Sequence, residues 1–513
     1  MGGSIALVGG GPRAVFALER LVAHGVCAAA TTVTIFDPST DLGVGAAYEA
    51  DLPGWARLNL RADAIDAGLA VPGGPARLLP SFEDWRRATG AHDGDQFPAR
   101  ALAGRYLTAM AGRLAEHWGD RLCHVREFAL LTEPDQRAPG RWRIQTGQAS
   151  YGNFDEVLVL TGHAPTWPGQ LPGRVEGVAA IQALPLPSLV ARAADVAGPQ
   201  AAVLIRGAAL TAIDTALAFT SEGGGQRPRL TWWSRTGRLM EAKPGDVVRA
   251  RLRAAMPVGG PEAWAGERPL GPLIQDAAAM LLGPGRAGEI DREWARLTAP
   301  VSVAGDVTAQ ALRRLRTSIS IASGRRPPDA RWALGEAWRW LYPVVVARAE
   351  QDCGPHPAGW PGYRELSPEL ERLAFGPPLV NARILAGLLA SGRLRVRAGG
   401  TLPDAVRATG AGLVVDAVLA PPGLHLGSAL WSALAERGLA RTRGARRGVD
   451  VDGQARVIGA DGAPVPGLSA AGRVTEDVVI GNDTLTRVQH PGLDRWGARM
   501  AARLGSDLKM SVR

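Results

Sequence analysis

The stretch Ile5-Ala6-Leu7-Val8-Gly9-Gly10-Gly11-Pro12-Arg13-Ala14 decides the fold. Four apolar residues without alternation describe a strand buried on both faces, as in a parallel sheet. Beyond the glycines, Val15, Leu18, Leu21 and Val22 recur at helical spacing, and Val33-Thr34-Ile35-Phe36 forms the next strand, ending at Asp37. In Gly9-x-Gly11-x-x-Ala14 the first glycine permits the tight turn and the second lets the backbone approach a pyrophosphate. Ala14 is small enough for the helix to pack on the strand. The helix N-terminus offers partial positive charge to phosphates. Asp37, 26 residues after Gly11, is placed to accept ribose hydroxyls. Strand, turn, helix, strand and acid in this order predict a dinucleotide-binding unit.

Working outward, residues from about 97 to 117 read as a helix with Tyr106, Leu107, Met110 and Leu114 on one face. Val157-Leu158-Val159-Leu160 is another buried strand, ending in Thr161-Gly162-His163. In flavoproteins with two dinucleotides, a strand ending in Thr-Gly returns the chain beside FAD; a simple turn is the plain alternative. A second strand–turn–helix begins at Val203-Leu204-Ile205, with Gly207, Ala208, Ala209, Leu210, Thr211 and Asp214 in the turn and helix. Ala209 stands where a second glycine is expected, and its methyl would crowd a pyrophosphate. The following strand, Leu230 to Trp233, leads to Ser234-Arg235, where an Arg suits a 2′-phosphate and so favours NADPH over NADH.

The predicted fold class is therefore α/β, with two Rossmann-like dinucleotide-binding domains and a mainly helical region. The FAD domain would take residues 1–190, the NAD(P)-binding domain would start over 191–240, and 241–400 would hold the helical insert with the rest of the second domain. Residues 401–513, with strands near Val414-Val415 and Gly467 to Ala471, would complete the FAD domain. The tryptophans Trp264, Trp294, Trp332, Trp338 and Trp340 read as helix packing, or alternatively as a wall beside substrate or flavin.

The chain has 513 residues and a net charge of +9, yet Lys243 and Lys509 are its only lysines. The positive charge is Arg scattered among acids, not a block of like charge, so nucleic acid is not the expected partner. Three cysteines, Cys27, Cys123 and Cys353, form no Cys-x-x-Cys pair, and the eight histidines show no metal-ligand spacing. The expected setting is cytoplasmic, with no metal and no membrane span; the most apolar window, Ala201 to Phe219, carries Arg206 and Asp214.

These motifs resemble the FAD/NAD(P)-binding flavoprotein monooxygenases, and among them the amino-acid N-hydroxylating group of the L-aspartate N-monooxygenase (nitrosuccinate-forming) kind. The likeness rests on Val8 to Arg13 with Leu18-Glu19-Arg20-Leu21, Gly43 to Tyr48, Leu58-Asn59, Phe97-Pro98-Ala99-Arg100 with Gly104 to Leu107, and Thr161-Gly162-His163. It continues in Phe375-Gly376-Pro377-Pro378 before Asn381, and Ala471-Gly472-Arg473 before Gly481-Asn482-Asp483-Thr484-Leu485. The resemblance implies FAD contacts from Gly9, Gly11, Pro12, Arg13, Asp37, Asn59, Thr161, Gly162 and Gly472, and NADPH contacts from Gly207, Thr211 and Arg235. It implies a monooxygenase in which NADPH reduces FAD and a C4a-hydroperoxyflavin oxygenates the amine of an amino acid or similar small metabolite, with O2 as co-substrate. Asn482, Asp483 and His490 are candidate polar groups near flavin or substrate, though a capped loop and a structural histidine explain them equally. His163 and Arg61 carry the same double reading, and Trp55 reads as packing. An FAD-dependent oxidase or reductase without oxygen transfer, and a non-catalytic flavin-binding partner protein, stay open, as does assembly into a homo-oligomer.

Overall fold

The computed structural model describes residues 3–510 apart from 27–29, 70–76, 93, 135–139, 165, 222–227, 300–304, 352–355, 422, 425–427, 483 and 488–490. Fifteen strands occur among the described residues. They are β1 (Ser4–Val8), β2 (Thr32–Phe36), β3 (Leu122–Val125), β4 (Leu131–Pro134), β5 (Trp142–Gln145), β6 (Ser150–Phe154), β7 (Glu156–Val159) and β8 (Arg174–Val175). The rest are β9 (Val178–Gln182), β10 (Val203–Arg206), β11 (Leu230–Ser234), β12 (Leu394–Ala398), β13 (Leu413–Asp416), β14 (Arg456–Ile458) and β15 (Pro464–Ala470).

Two six-stranded sheets dominate, in the orders β14-β15-β7-β1-β2-β3 and β12-β11-β10-β13-β9-β8. All pairings are parallel except the edge pairs β14–β15 and β8–β9. The strands β4, β5 and β6 form a separate antiparallel sheet. The apolar runs behave as their composition dictates: Ile5, Ala6 and Leu7 are fully buried, as are Leu204 and Ile205. In each large sheet the central strand, β1 or β10, pairs with the next strand in sequence on one side and with a strand distant in sequence, β7 or β13, on the other. That is the topological switch point, where the crevice opens at the strands' carboxyl ends.

The boundaries differ from those expected. β8 and β9, within the expected first segment, join the second sheet, and so does β13, within the expected closing segment. The second sheet therefore runs from about residue 174 to 416, because Leu413 to Asp416 pairs in parallel with Val203 to Arg206. Strand β15 returns the chain to β7, with Leu468, Ser469 and Ala470 opposite Val157, Leu158 and Val159.

Between β11 and β12 lies a helical insert with its own core, including Leu273, Ile274, Leu334, Leu341 and Leu370. Trp332 and Trp338 are fully buried, Trp264 packs on Trp340 at 5.3 Å between ring centroids, and Trp294 stacks on Trp360. The tryptophans are thus packing residues, as their plain reading has it. Among the described residues no single helix is long and apolar enough to cross a membrane; Tyr363–Ala374 and Leu379–Ala390 pass that test only as a pair bent by 94°.

A buried charge cluster ties the first helix to the C-terminal segment. Glu19 and Arg20 are fully buried; Arg487 donates to Glu19 at 2.7 Å, and Arg20 to Asp494 at 2.9 Å and to the Leu69 carbonyl at 2.9 Å. The Glu-Arg of the Leu-Glu-Arg-Leu motif is therefore architectural: each charge is buried but paired, which is the condition for tolerating it.

Candidate functional site

The first glycine turn is built as its sequence requires. Gly9 has φ +109°, and a Cβ there would lie 2.9 Å from the Leu160 carbonyl oxygen and 3.2 Å from the Thr161 nitrogen. The Gly9 turn and the Thr161-Gly162 strand end thus meet side by side. Gly11 precedes the helix Pro12–Ala23 with no side-chain cap, and Pro12 begins it. Pro12 brings no N–H and the Ala14 N–H donates to the Gly11 carbonyl at 2.9 Å, so what this helix start offers an anion is chiefly its partial positive charge. Asp37 stands at the end of β2 and is held there: its Oδ2 accepts the Gly10 N–H at 2.6 Å and its Oδ1 the Ser39 N–H at 2.9 Å. Each carboxylate oxygen keeps a further lone pair for a hydroxyl.

Gly472 closes the opposite side of this crevice. It has φ +84°, and a Cβ would approach Arg13 Cγ at 3.2 Å. Arg13 Nη2 donates to the Asn482 and Thr484 carbonyls at 2.7 and 3.0 Å. Arg13, Ala471, Gly472, Thr475, Asn482 and Gly492 line a small, partly open cleft. Asn482 turns its amide nitrogen inward, to Thr475 Oγ1 at 3.2 Å and to the Val479 carbonyl, while Glu476 accepts the Gly481 and Asn482 N–H groups at 3.0 and 3.1 Å. Its carboxamide nitrogen serves the loop, and only its position borders the cleft. Asp483 and His490 lie outside the described residues.

The second turn repeats the first. Gly207 has φ +117° and follows the central strand β10; a Cβ there would meet the Ala417 carbonyl at 3.5 Å. Ala209 is exposed just before the helix Leu210–Ser221, whose first turn holds Thr211. Arg235, beyond β11, is exposed and makes no ion pair among the described residues, so its guanidinium is available to a phosphate. The two crevices are stapled together by Arg100 and Asp214, whose guanidinium and carboxylate meet at 2.7 Å. Burial pushes the Asp214 carboxyl up, and Arg100 opposes it. The sequence reading singled out Arg100 and Asp214 separately, but nothing in it paired them.

Asn59 joins the halves: its Nδ2 donates to the Phe375 carbonyl at 3.2 Å. Trp55 is half-buried on the second domain's core, its carbonyl accepting Asn381 Nδ2 at 3.2 Å. Arg61 pairs with Asp63 and, at 2.8 Å, with Asp246, so its ion-pair reading is the one realised. His163 faces the Ala420 carbonyl at 3.1 Å, a contact between the two connections that cross from one sheet to the other. Among the described residues no group of three or more His, Cys, Asp or Glu is placed to hold a metal.

Two positive-φ glycines, an uncapped helix start and a fixed acid make a cradle shaped for a dinucleotide, and a side chain at Gly9 would collide with the Leu160 backbone beside it. Residues 6–164 match the family model of FAD-NAD(P)-binding proteins. The chain is 26% identical over 256 residues to the L-aspartate N-monooxygenase (nitrosuccinate-forming) of Streptomyces cremeus, an alignment covering 43% of this chain and 38% of that protein. The chain thus matches well under half the length of this curated relative. Among solved structures it is similar to the ornithine N-hydroxylase of Kutzneria sp. 744, with TM-score 0.51, 13% identity and 98% and 99% of the two chains covered. It is also similar to the reduced ornithine hydroxylase of Pseudomonas aeruginosa, with TM-score 0.53, 13% identity and 98% and 100% covered. The fold is that of these two-domain flavoproteins.

Proposed function

We propose that this protein is an NADPH-dependent FAD monooxygenase that N-hydroxylates the amine of an amino acid. The observation that carries the reading is the repeated turn: Gly9 and Gly207 each follow the central strand of a parallel sheet, at its switch point, with positive φ. The match of residues 6–164 supports FAD in the first crevice. The aspartate-oxidising relative, and the Kutzneria structure with reduced FAD, NADP⁺ and L-ornithine, support an amino-acid amine as substrate.

In this reading the helix start at Gly11-Pro12-Arg13 receives the FAD pyrophosphate and Asp37 the ribose, while Gly472 keeps the other wall free of side chain. Gly207 and Thr211 receive the second pyrophosphate, and Arg235 the 2′-phosphate. Bound FAD supplies hydride acceptance and oxygen activation; the protein's task is to orient and to exclude water. The Arg100–Asp214 pair sets the two crevices at one distance. Phe375 and Tyr342, packed edge to face at 4.9 Å, wall the junction between them.

The test is product analysis with a panel of amino acids under O2. The reading expects NADPH use matched by hydroxylamine or more oxidised nitrogen product. Hydrogen peroxide in place of any oxygenated product would transfer the protein to the oxidase class.

A further inference from the structure

The chain uses Arg at all but two of its 58 basic positions. One exception, Lys243, is buried at the junction just described. It lies in the segment between β11 and the helix Asp246–Ala255. The backbone there is pinned: Ala242 N–H donates to Ser318 Oγ at 2.7 Å and Lys243 N–H to the Pro377 carbonyl at 3.0 Å. Gly376 presses so closely that a Cβ on it would sit 1.9 Å from the Glu241 carbonyl oxygen. The main chain that carries Lys243 is thus fixed at this place.

Lys243 is only 9% exposed, and its Nζ lies 5.6 Å from the Phe375 ring centroid. Among the described residues it has no hydrogen-bond acceptor. The one carboxylate acting on it, Glu336, is itself buried and is already taken at both oxygens by Arg339. An ammonium carries three donors, and burying them without acceptors is costly. Burial, with Arg339 beside it, holds the ammonium well below its ordinary range, against the pull of Glu336. A purely structural position would be better served by an apolar side chain of equal length.

What surrounds Lys243 says what it awaits. Phe375, under its ammonium, receives Asn59 from the first domain at its carbonyl and Tyr342 against its ring. Tyr342 in turn abuts Gly481, next to Asn482 on the cleft with Arg13 and Gly472. The missing acceptor is thus called for where the two crevices and the insert converge. We infer that Lys243 binds the carboxylate of the amino-acid substrate, fixing one end so that the amine is presented to the oxygenating cofactor. This rests on the monooxygenase reading for the amine but not for the anion. Burial favours the neutral amine, but an arriving carboxylate restores the proton, and the resulting compact ammonium suits a single carboxylate, with hydrogen bonds strengthened by the desolvated place.

The experiment uses the FAD-loaded protein and three probes: L-aspartate, L-ornithine and succinate, which has no amine. Binding is read from the flavin difference spectrum and by calorimetry, for the wild type, Lys243→Met and Lys243→Arg. The inference expects at least one probe to bind the wild type and Lys243→Met to weaken it by about 30-fold or more, with partial recovery in Lys243→Arg. Lys243→Met is expected to keep its FAD and melt no lower than the wild type, since a buried amino group without an acceptor is removed. Equal binding by Lys243→Met, or no binding of any probe to the wild type, overturns it. Carboxylate binding that depends on Lys243 without any oxygenated product would leave the anion site standing and sink the monooxygenase reading. Oxygenation with an unchanged KM in Lys243→Met would do the reverse.

Discussion

Gly9→Ala is the sharpest perturbation of the first crevice. Two costs add. An L side chain at φ +109° leaves the allowed backbone regions, for about 1–2 kcal/mol. The new methyl would also lie 2.9 Å from the Leu160 carbonyl oxygen, backbone at the end of β7 that has no rotamer to change. Overpacking of this kind costs about 1–3 kcal/mol. The sum is about 2–5 kcal/mol, or a fall in melting temperature on the order of 5–15 °C. Because relief requires β1 and β7 to part where FAD is expected, FAD affinity should fall by at least about tenfold as well. Gly112→Ala is the control: it lies exposed in the helix Arg100–Trp118 with nothing within 4 Å of a Cβ, and should stabilise by about 0.5–1 kcal/mol. Thermal melts and FAD titration of the deflavinated proteins give both quantities. A Gly9→Ala protein with wild-type melting temperature and FAD affinity would refute the reasoning.

At the second crevice, Ala209→Gly should tighten NADPH binding by about three- to fivefold, the equivalent of under 1 kcal/mol of relieved crowding; unchanged or weaker affinity by titration sinks the reading of that turn. Arg235→Ala should weaken NADPH by about 10- to 100-fold and leave NADH alone, as expected for lost charge-assisted bonds to a 2′-phosphate; an equal loss for both nucleotides would make the residue structural. Burial pushes the Asp477 carboxyl up, but hydrogen bonds from Arg447, one at 2.7 Å, more than offset this and leave it below its ordinary value. A depressed folded value gives stability that is present above the unfolded value of about 3.9 and lost as pH falls through the folded one. Arg447→Met should therefore melt below the wild type at pH 7, with the gap closing under acid; a gap that does not close at low pH removes Arg447 as the cause.

What the sequence made legible is what local chemistry dictates. Strand β1, its glycine turn, the helix Pro12–Ala23 and β2 appear where the apolar run and the 3.6-residue spacing place them. Strand β13 was equally visible, yet its sheet was not. A buried parallel strand reads the same whichever sheet takes it, and the pairing of Val203 with Leu413 spans some two hundred residues. Strand β8 was missed because it is two residues long at the sheet edge, and β9 because its apolar run Val178-Ala179-Ala180-Ile181 is half-buried and half alanine, a weak strand signal. In the site, glycines were readable because φ and close approach demand them. The inward turn of Asn482, the joining of Arg100 to Asp214 and the burial of Lys243 were not, since each depends on what a distant segment places alongside. The rarity of lysine was visible throughout, and it was the one signal that marked Lys243.

The most direct test of two dinucleotide crevices is the visible spectrum of the purified, FAD-loaded protein before and after anaerobic NADPH. The account predicts an oxidised-flavin spectrum that bleaches as NADPH is added. A flavin spectrum indifferent to NADPH would contradict the second crevice, and a protein that stays colourless however much FAD is offered would contradict the first.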